Sequence, residues 1–377
     1  MTTSTQPDWQ QIRAEFPSLA NWTFLNTATF GQMPRCGAEA AARHFARRDE
    51  SACADFLGWF DDADRIRGLC ARLVHCEASD IAFIQNASTA LSLLLGGIDW
   101  KPGDRVVTLE DEFPNHYYHP LFLGGRGVDF IETSWDGFYD AITPSTRLVA
   151  ISMLNYSTGF RAPLAEISAF LRERGVLLYV DGTQGLGAME FDVSETPVDI
   201  LAVHGYKWLL SPNGAGFMYV DPRVREWLQP SVIGWRSHSG WRNHDNLHHG
   251  APEFKSEAER YEGGMLTFTV LYAMAASLEM FLSIGPKAIA CRVADIASKT
   301  RDVLRDVRAD LLSDSAPHYD SPIIAARFEG QDPSAIARRL EERKVLVAAR
   351  HGNLRVSPHF YNNEDDLDRL ADALKGL

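Results

Sequence analysis

Three linked segments decide the fold: Val176-Leu-Leu-Tyr-Val-Asp181-Gly-Thr-Gln184, then Ile200-Leu-Ala-Val-His204-Gly-Tyr206-Lys207-Trp208, then Gly214-Ala-Gly-Phe-Met-Tyr-Val220. The first two are short apolar runs that end on polar residues, and the third returns as a further run. A nearly continuous run of Val, Ile, Leu and Phe suits a strand covered on both faces. Polar groups at the end of such a run suit a ligand, because open α/β sheets bind ligands beyond the carboxyl ends of their strands.

The same pattern extends outward. Runs at Ile81–Ile84, Arg105–Leu109, Val128–Thr133 and Leu148–Ser152 join Val176–Val180, Ile200–Val203 and Gly216–Val220 to make seven predicted strands. Helical patterns separate them. In one, Pro163–Gly175, Leu164, Ile167, Phe170 and Leu171 form an apolar stripe, with Pro suited to the first helical position and Gly to the C-terminal cap. Strand–helix alternation predicts an α/β fold with a mostly parallel, seven-stranded sheet. From about residue 265 the pattern changes to a long apolar helix, then further helices and weaker strands. The expected division is an arm over 1–20, a large domain over 21–264 and a smaller α+β C-terminal domain over 265–377.

Composition narrows the function. The 377-residue chain carries a net charge of −13, which repels phosphate backbones and anionic membrane surfaces, so no nucleic-acid or membrane partner is expected. The longest apolar stretch, Thr267–Ile284, is interrupted by Glu279 and falls short of the roughly 20 residues a bilayer needs, so it reads as a core helix. Cys36, Cys53, Cys70, Cys76 and Cys291 show neither a disulfide framework nor metal-ligand spacing. Reduced thiols, a cytoplasmic location and no metal are expected.

The polar residues after the runs point to one chemistry. A carboxylate and a lysine at one sheet edge form either a salt bridge or a site for pyridoxal 5′-phosphate (PLP). PLP withdraws electrons only while its pyridine nitrogen stays protonated, which a buried Asp enforces, and a lysine amine holds its aldehyde as a Schiff base. A helix opened by Asn86-Ala87-Ser88-Thr89 adds N–H donors suited to a phosphate. A nicotinamide dehydrogenase on such a sheet lacks support, since no G-x-G-x-x-G follows the first run.

Tyr179-Val-Asp-Gly-Thr-Gln-Gly, His204-Gly-Tyr-Lys-Trp-Leu and Gly214-Ala-Gly-Phe-Met-Tyr resemble the class V aminotransferase family of fold-type I PLP-dependent enzymes, which includes cysteine desulfurases, kynureninases and isopenicillin N epimerase-like proteins. The resemblance runs from Phe24-Leu-Asn-Thr-Ala-Thr to Leu354-Arg-Val-Ser-Pro-His-Phe-Tyr-Asn. It implies that Lys207 is the Schiff-base lysine and proton shuttle, Asp181 the partner of the pyridine nitrogen and Gln184 that of the phenolic oxygen. It further implies that Ala87, Ser88, Thr89, His204 and Tyr206 bind phosphate, that Phe113 stacks on the ring, and that Asn155 lies near the cofactor oxygen. Arg355 would clamp the substrate α-carboxylate, with Asn26 and Thr27 lining the substrate pocket. The implied activity is aminotransferase-like or a C–S/C–C lyase on an amino acid, in a homodimer with shared sites. Alternatives are an amino-acid epimerase or a non-catalytic regulator.

Three departures qualify the resemblance. Val347-Ala-Ala-Arg350-His351-Gly352-Asn353-Leu354-Arg355 has no cysteine where desulfurases carry their nucleophile, which disfavours Cys-loop desulfuration. Met265 replaces the threonine that reaches the partner's phosphate, with Thr267 nearby. The histidine-rich segment 237–249 is expected to be a substrate-facing loop.

Overall fold

The computed structural model describes residues 7–375 except 246, 248 and 249. The seven predicted runs form one sheet: β1 (Ile81–Ile84), β2 (Arg105–Leu109), β3 (Asp129–Thr133), β4 (Thr146–Ser152), β5 (Leu177–Asp181), β6 (Ile200–His204) and β7 (Gly216–Val220). Its spatial order is β1-β7-β6-β5-β4-β2-β3. β7 runs against both of its neighbours, and every other pairing is parallel. Alternate residues feed two separate cores. Leu178, Val180, Leu201 and Val203 pack to one side, while Tyr179, Ile200 and Ala202 pack to the other. Burial of both faces explains why these strands lack polar alternation.

The C-terminal region builds a second sheet from β8 (Asp310–Leu311), β9 (Ile324–Arg327), β10 (Ala348–Arg350) and β11 (Asn353–Val356), antiparallel throughout, in the order β10-β11-β9-β8. It has its own core, which includes Ile324, Ala326, Leu354 and Val356. The N-terminal segment is tied to this part of the molecule. Thr23–Phe24 pairs in parallel with Val345–Leu346, and Asn26 bridges to Ser357.

The long apolar helix spans Phe268–Ile284 and stops at Gly285. Although it lies beyond residue 265, its buried side chains share the first core of the large sheet. No single helix among the described residues is long and apolar enough to cross a membrane. The helix predicted over Pro163–Gly175 forms over Leu164–Arg172, which holds the whole stripe, with Gly175 at φ 64° beyond its end.

Candidate active site

The parallel strands β4, β5 and β6 end side by side, and their last residues open into a cavity of about 200 Å³. Register sets Ser152 beside Asp181, so the carboxylate at the tip of β5 is fixed by the sheet itself. Asp181 Oδ1 accepts the Thr183 N–H at 2.9 Å, and Thr183 Oγ1 accepts the His204 N–H at 3.1 Å, which ties β5 to β6.

Lys207 lies in the turn between β6 and the antiparallel β7. It is 7% exposed and lines the cavity with Asp181, Gln184, His204, Tyr206, Ala87, Ser88 and Phe113. Burial pushes its ammonium down to about 8, against the opposing pull of Asp181 and with a further push from Arg355. Its Nζ lies 5.5 Å from the Phe113 ring centre and 5.3 Å from that of Tyr206.

The lysine turn is gripped from outside. Gly31 N–H donates to the Tyr206 carbonyl at 2.8 Å, and a Cβ at Gly31 would sit 1.9 Å from the Lys207 carbonyl oxygen. On the other side Gly187, at φ 103°, would bring a Cβ to 2.3 Å of the Trp208 carbonyl oxygen. Only glycine allows these approaches. His359 holds the same carbonyl. Its Nε2 lies 2.9 Å from the Trp208 oxygen, while its Nδ1 accepts the Phe360 N–H at 2.7 Å. Nε2 therefore carries the proton. Charging this buried ring needs a second proton on a nitrogen already in use, and its pKa falls to about 3, chiefly through burial.

Gln184 is fixed at both ends of its amide. Oε1 accepts the Trp208 indole N–H at 2.8 Å and Nε2 donates to the Ala28 carbonyl at 3.0 Å. An amide nitrogen has two protons, so one N–H remains for the cavity. His204 Nε2 accepts the Gly214 N–H, and burial lowers its pKa to about 4. Opposite, the Ala87–Gly97 helix starts at the cavity wall. Asn86 caps it by accepting the Thr89 N–H at 2.9 Å. The N–H groups of Ala87 and Ser88 have no intrahelical acceptor and are suited to an anion.

Several wall residues escaped the sequence reading. Glu112 accepts both the Ser152 N–H and its hydroxyl, at 2.6 and 2.5 Å, and so locks the turn carrying Phe113 onto β4. Asn115 accepts the Ser88 hydroxyl at 2.7 Å. Tyr156 lines the cavity, stands edge-on to Phe113 at 5.3 Å, and places its hydroxyl 2.6 Å from His351 Nε2.

Arg355, on β11, meets the cavity wall at Tyr156 from the second sheet. It is 1% exposed, donates to the Tyr156 carbonyl at 2.5 Å, and bonds Thr29 and Asn26. Its Nε has no partner, and no carboxylate pairs with it among the described residues. Burial, then the charge of Arg350, press against its charged form. A guanidinium does not give up its proton, so it keeps its charge and the unpartnered Nε–H for an incoming carboxylate.

Other expected site residues are not among those lining the cavity. Thr89 is occupied with Asn86 through its hydroxyl. Asn155 shapes its own turn, accepting from Ser157 and Thr158 and donating to the Asp111 carbonyl. Thr27 is fully buried, with its hydroxyl 3.0 Å from that of Tyr361. The described part of the histidine-rich segment packs away from this cavity. Arg242 pairs with Asp61 and Asp64, and His244 sits among Phe56, Phe60 and Trp241. His248 and His249 lie outside the described residues. Among the described residues no group of three His, Cys, Asp or Glu is placed to hold a metal ion.

A buried amine and a carboxylate facing one cavity, with a helix N-terminus across from them, fit the aldehyde, pyridine nitrogen and phosphate of PLP. Comparison with known proteins agrees. The family model for aminotransferase class-V matches residues 59–370. The chain is 28% identical to isopenicillin N epimerase from Streptomyces clavuligerus, over 98% of each chain. It is 24% identical to a probable cysteine desulfurase from Methanothermobacter thermautotrophicus, again over 98% of each. A structure of a C-DES mutant with glycine covalently linked to its PLP cofactor superposes with a TM-score of 0.89 at 22% identity, covering 99% of this chain and 100% of that one. The protein belongs to the class-V aminotransferase family and is a PLP-dependent enzyme.

Proposed function

We propose that this enzyme converts an amino acid at its Cα, with Lys207 as the cofactor-bound lysine and proton carrier. The observation that carries the reading is the buried Lys207 amine, depressed to about 8, facing the same cavity as Asp181. Bound PLP supplies the electron sink for negative charge at the substrate Cα. Asp181 sets its carboxyl group at the cavity floor, where the pyridine nitrogen would lie. The free Gln184 N–H donates at the side, and Ala87, Ser88 and neutral His204 face the phosphate end. Phe113 covers the open face, and Arg355 holds the α-carboxylate. An amine depressed to about 8 is roughly one-tenth unprotonated at pH 7, far more than an ordinary lysine, which suits Lys207 to move a proton at Cα.

No cysteine lies among the residues lining the cavity, and the β10–β11 hairpin has none. Transfer of sulfur through a cysteine of that loop is therefore disfavoured, and an aminotransferase-like or C–S/C–C lyase outcome preferred. The epimerase relative supports a second reading, in which Cα is reprotonated from the other face. We further propose a homodimer. Val232, Ile233 and Met265 are 46%, 60% and 62% exposed around the contact of Gly234 with Gly263, an apolar ridge suited to a second copy. The five cysteines are free thiols, which fits the cytoplasm.

The test is a visible spectrum of PLP-loaded wild type and Lys207→Ala, before and after each L-amino acid. A lysine-bound cofactor band in wild type alone, altered by particular amino acids, supports the reading. Keto acid, released sulfide or D-amino acid then identifies the outcome. No band after PLP is added overturns the reading in favour of a non-catalytic regulator.

A further inference from the structure

The β10–β11 hairpin sets a second cation beside the first. Arg350 stands opposite Asn353, and Ala348 opposite Arg355. Directly paired residues project to the same face and side chains alternate along a strand, so Arg350 and Arg355 share one face as diagonal neighbours. The two-residue turn between the strands, His351 at φ 44° and Gly352 at φ 75°, is the left-handed type that keeps such a hairpin in register. His351 in that turn is bonded to Tyr156, whose ring lines the cavity and whose carbonyl holds Arg355. The hairpin is thereby pinned over the site with Arg350 at its outer end.

Arg350 has little to do within the chain. It is half-buried, its hydrogen bond goes to the neighbouring Ala349 carbonyl at 2.7 Å, and no ion pair forms with it among the described residues. Its charge is felt at Arg355, Lys207 and Tyr156. One carboxylate balances a single one of these two neighbouring charges and leaves the other uncompensated.

We propose that Arg350 is a specificity-determining residue and that the substrate is a dicarboxylic amino acid, its α-carboxylate held by Arg355 and its side-chain carboxylate by Arg350. This rests on the amino-acid reading above. The diagonal spacing of such positions, roughly 7–8 Å between strands, is within reach of two long guanidinium side chains converging on aspartate or glutamate. The His351–Tyr156 pair, already bonded to each other, keeps one further donor beside them.

The experiment measures kcat and KM of the PLP-loaded protein with glutamate against glutamine and aspartate against asparagine, pairs alike in shape and unlike in charge. The expected result is a preference for the acidic member of one pair of at least roughly tenfold in kcat/KM. Arg350→Gln is expected to abolish that preference by raising KM for the acid while leaving kcat within a few-fold, and Arg350→Lys to restore most of it. Equal activity on acid and amide, or an equal loss on both in Arg350→Gln with no recovery in Arg350→Lys, overturns the dicarboxylate assignment and leaves the amino-acid reading standing. A spectrum unmoved by any amino acid, neutral ones included, overturns both.

Discussion

The floor of the site and its rim are built from different material. At the floor, Asp181, Gln184, Thr183 and His204 each hold or are held by another part of the chain. At the rim, Arg355 is buried with a free Nε and without a carboxylate partner among the described residues, and Arg350 beside it makes no ion pair there. A floor whose bonds are already made can serve one cofactor without choosing a substrate. A rim that carries uncompensated charge is incomplete until an anion arrives. In the function proposed above, the large sheet carries the chemistry and the small one the choice of substrate.

Substitutions can break this contrast in order of size. Lys207→Ala at the floor should lower turnover by at least about 10⁴-fold on every amino acid tested. A substrate-dependent loss in steady-state rates would show that floor and rim are not separate. Asp181→Asn preserves the shape and removes the charge, and should cost about 10²–10³-fold in kcat. Arg355→Gln at the rim should raise KM by roughly 10²-fold, with a smaller change in kcat. A dominant kcat effect there would move Arg355 from holding substrate to organising the floor.

The floor also predicts a pH response. His359 and His204 have folded pKa values of about 3 and 4, below the 6.5 of the free side chain. Between these limits the unfolded chain binds more protons than the folded one, so stability rises with pH across the window and is lost on acidification. Thermal melts of the wild type should show the midpoint falling steadily from pH 6.5 towards pH 4. His359→Gln should melt lower at pH 7 and lose part of that slope. A midpoint flat over this range would contradict the neutral, doubly bonded ring. The smallest effect should come from Trp208→Phe. It removes the indole N–H from Gln184 Oε1, frees that amide to rotate, and should shift the cofactor spectrum with only a few-fold loss in rate.

The floor was legible in the sequence because a strand end and a demanded residue type coincide there. Asp181 and Lys207 each follow an apolar run, and the helix at Asn86 carries its own cap. The rim was less so, because it depends on which side of a short strand faces in. Asn26 and Thr27 are adjacent, yet one bonds Arg355 and the other lies against Tyr361, a choice made by pairing with residues 345–357. Gly31, Glu112 and Tyr156 act through contacts with distant segments and leave no local pattern. Arg350 stood in view in the loop that lacks a cysteine, but its face is set only by the hairpin register.

Asn26 and Arg355 meet across nearly the full length of the chain, and Gly31 and His359 both grip the turn that carries the lysine. During synthesis the large sheet has all its strands once residue 220 has emerged, long before residue 355 exists. Domains generally fold as units, the N-terminal part first. A nascent chain can thus hold a nearly complete sheet whose reactive amine is still open to any aldehyde in the cell. The segment that carries Arg355 and His359, made later, converts that exposed amine into a guarded one.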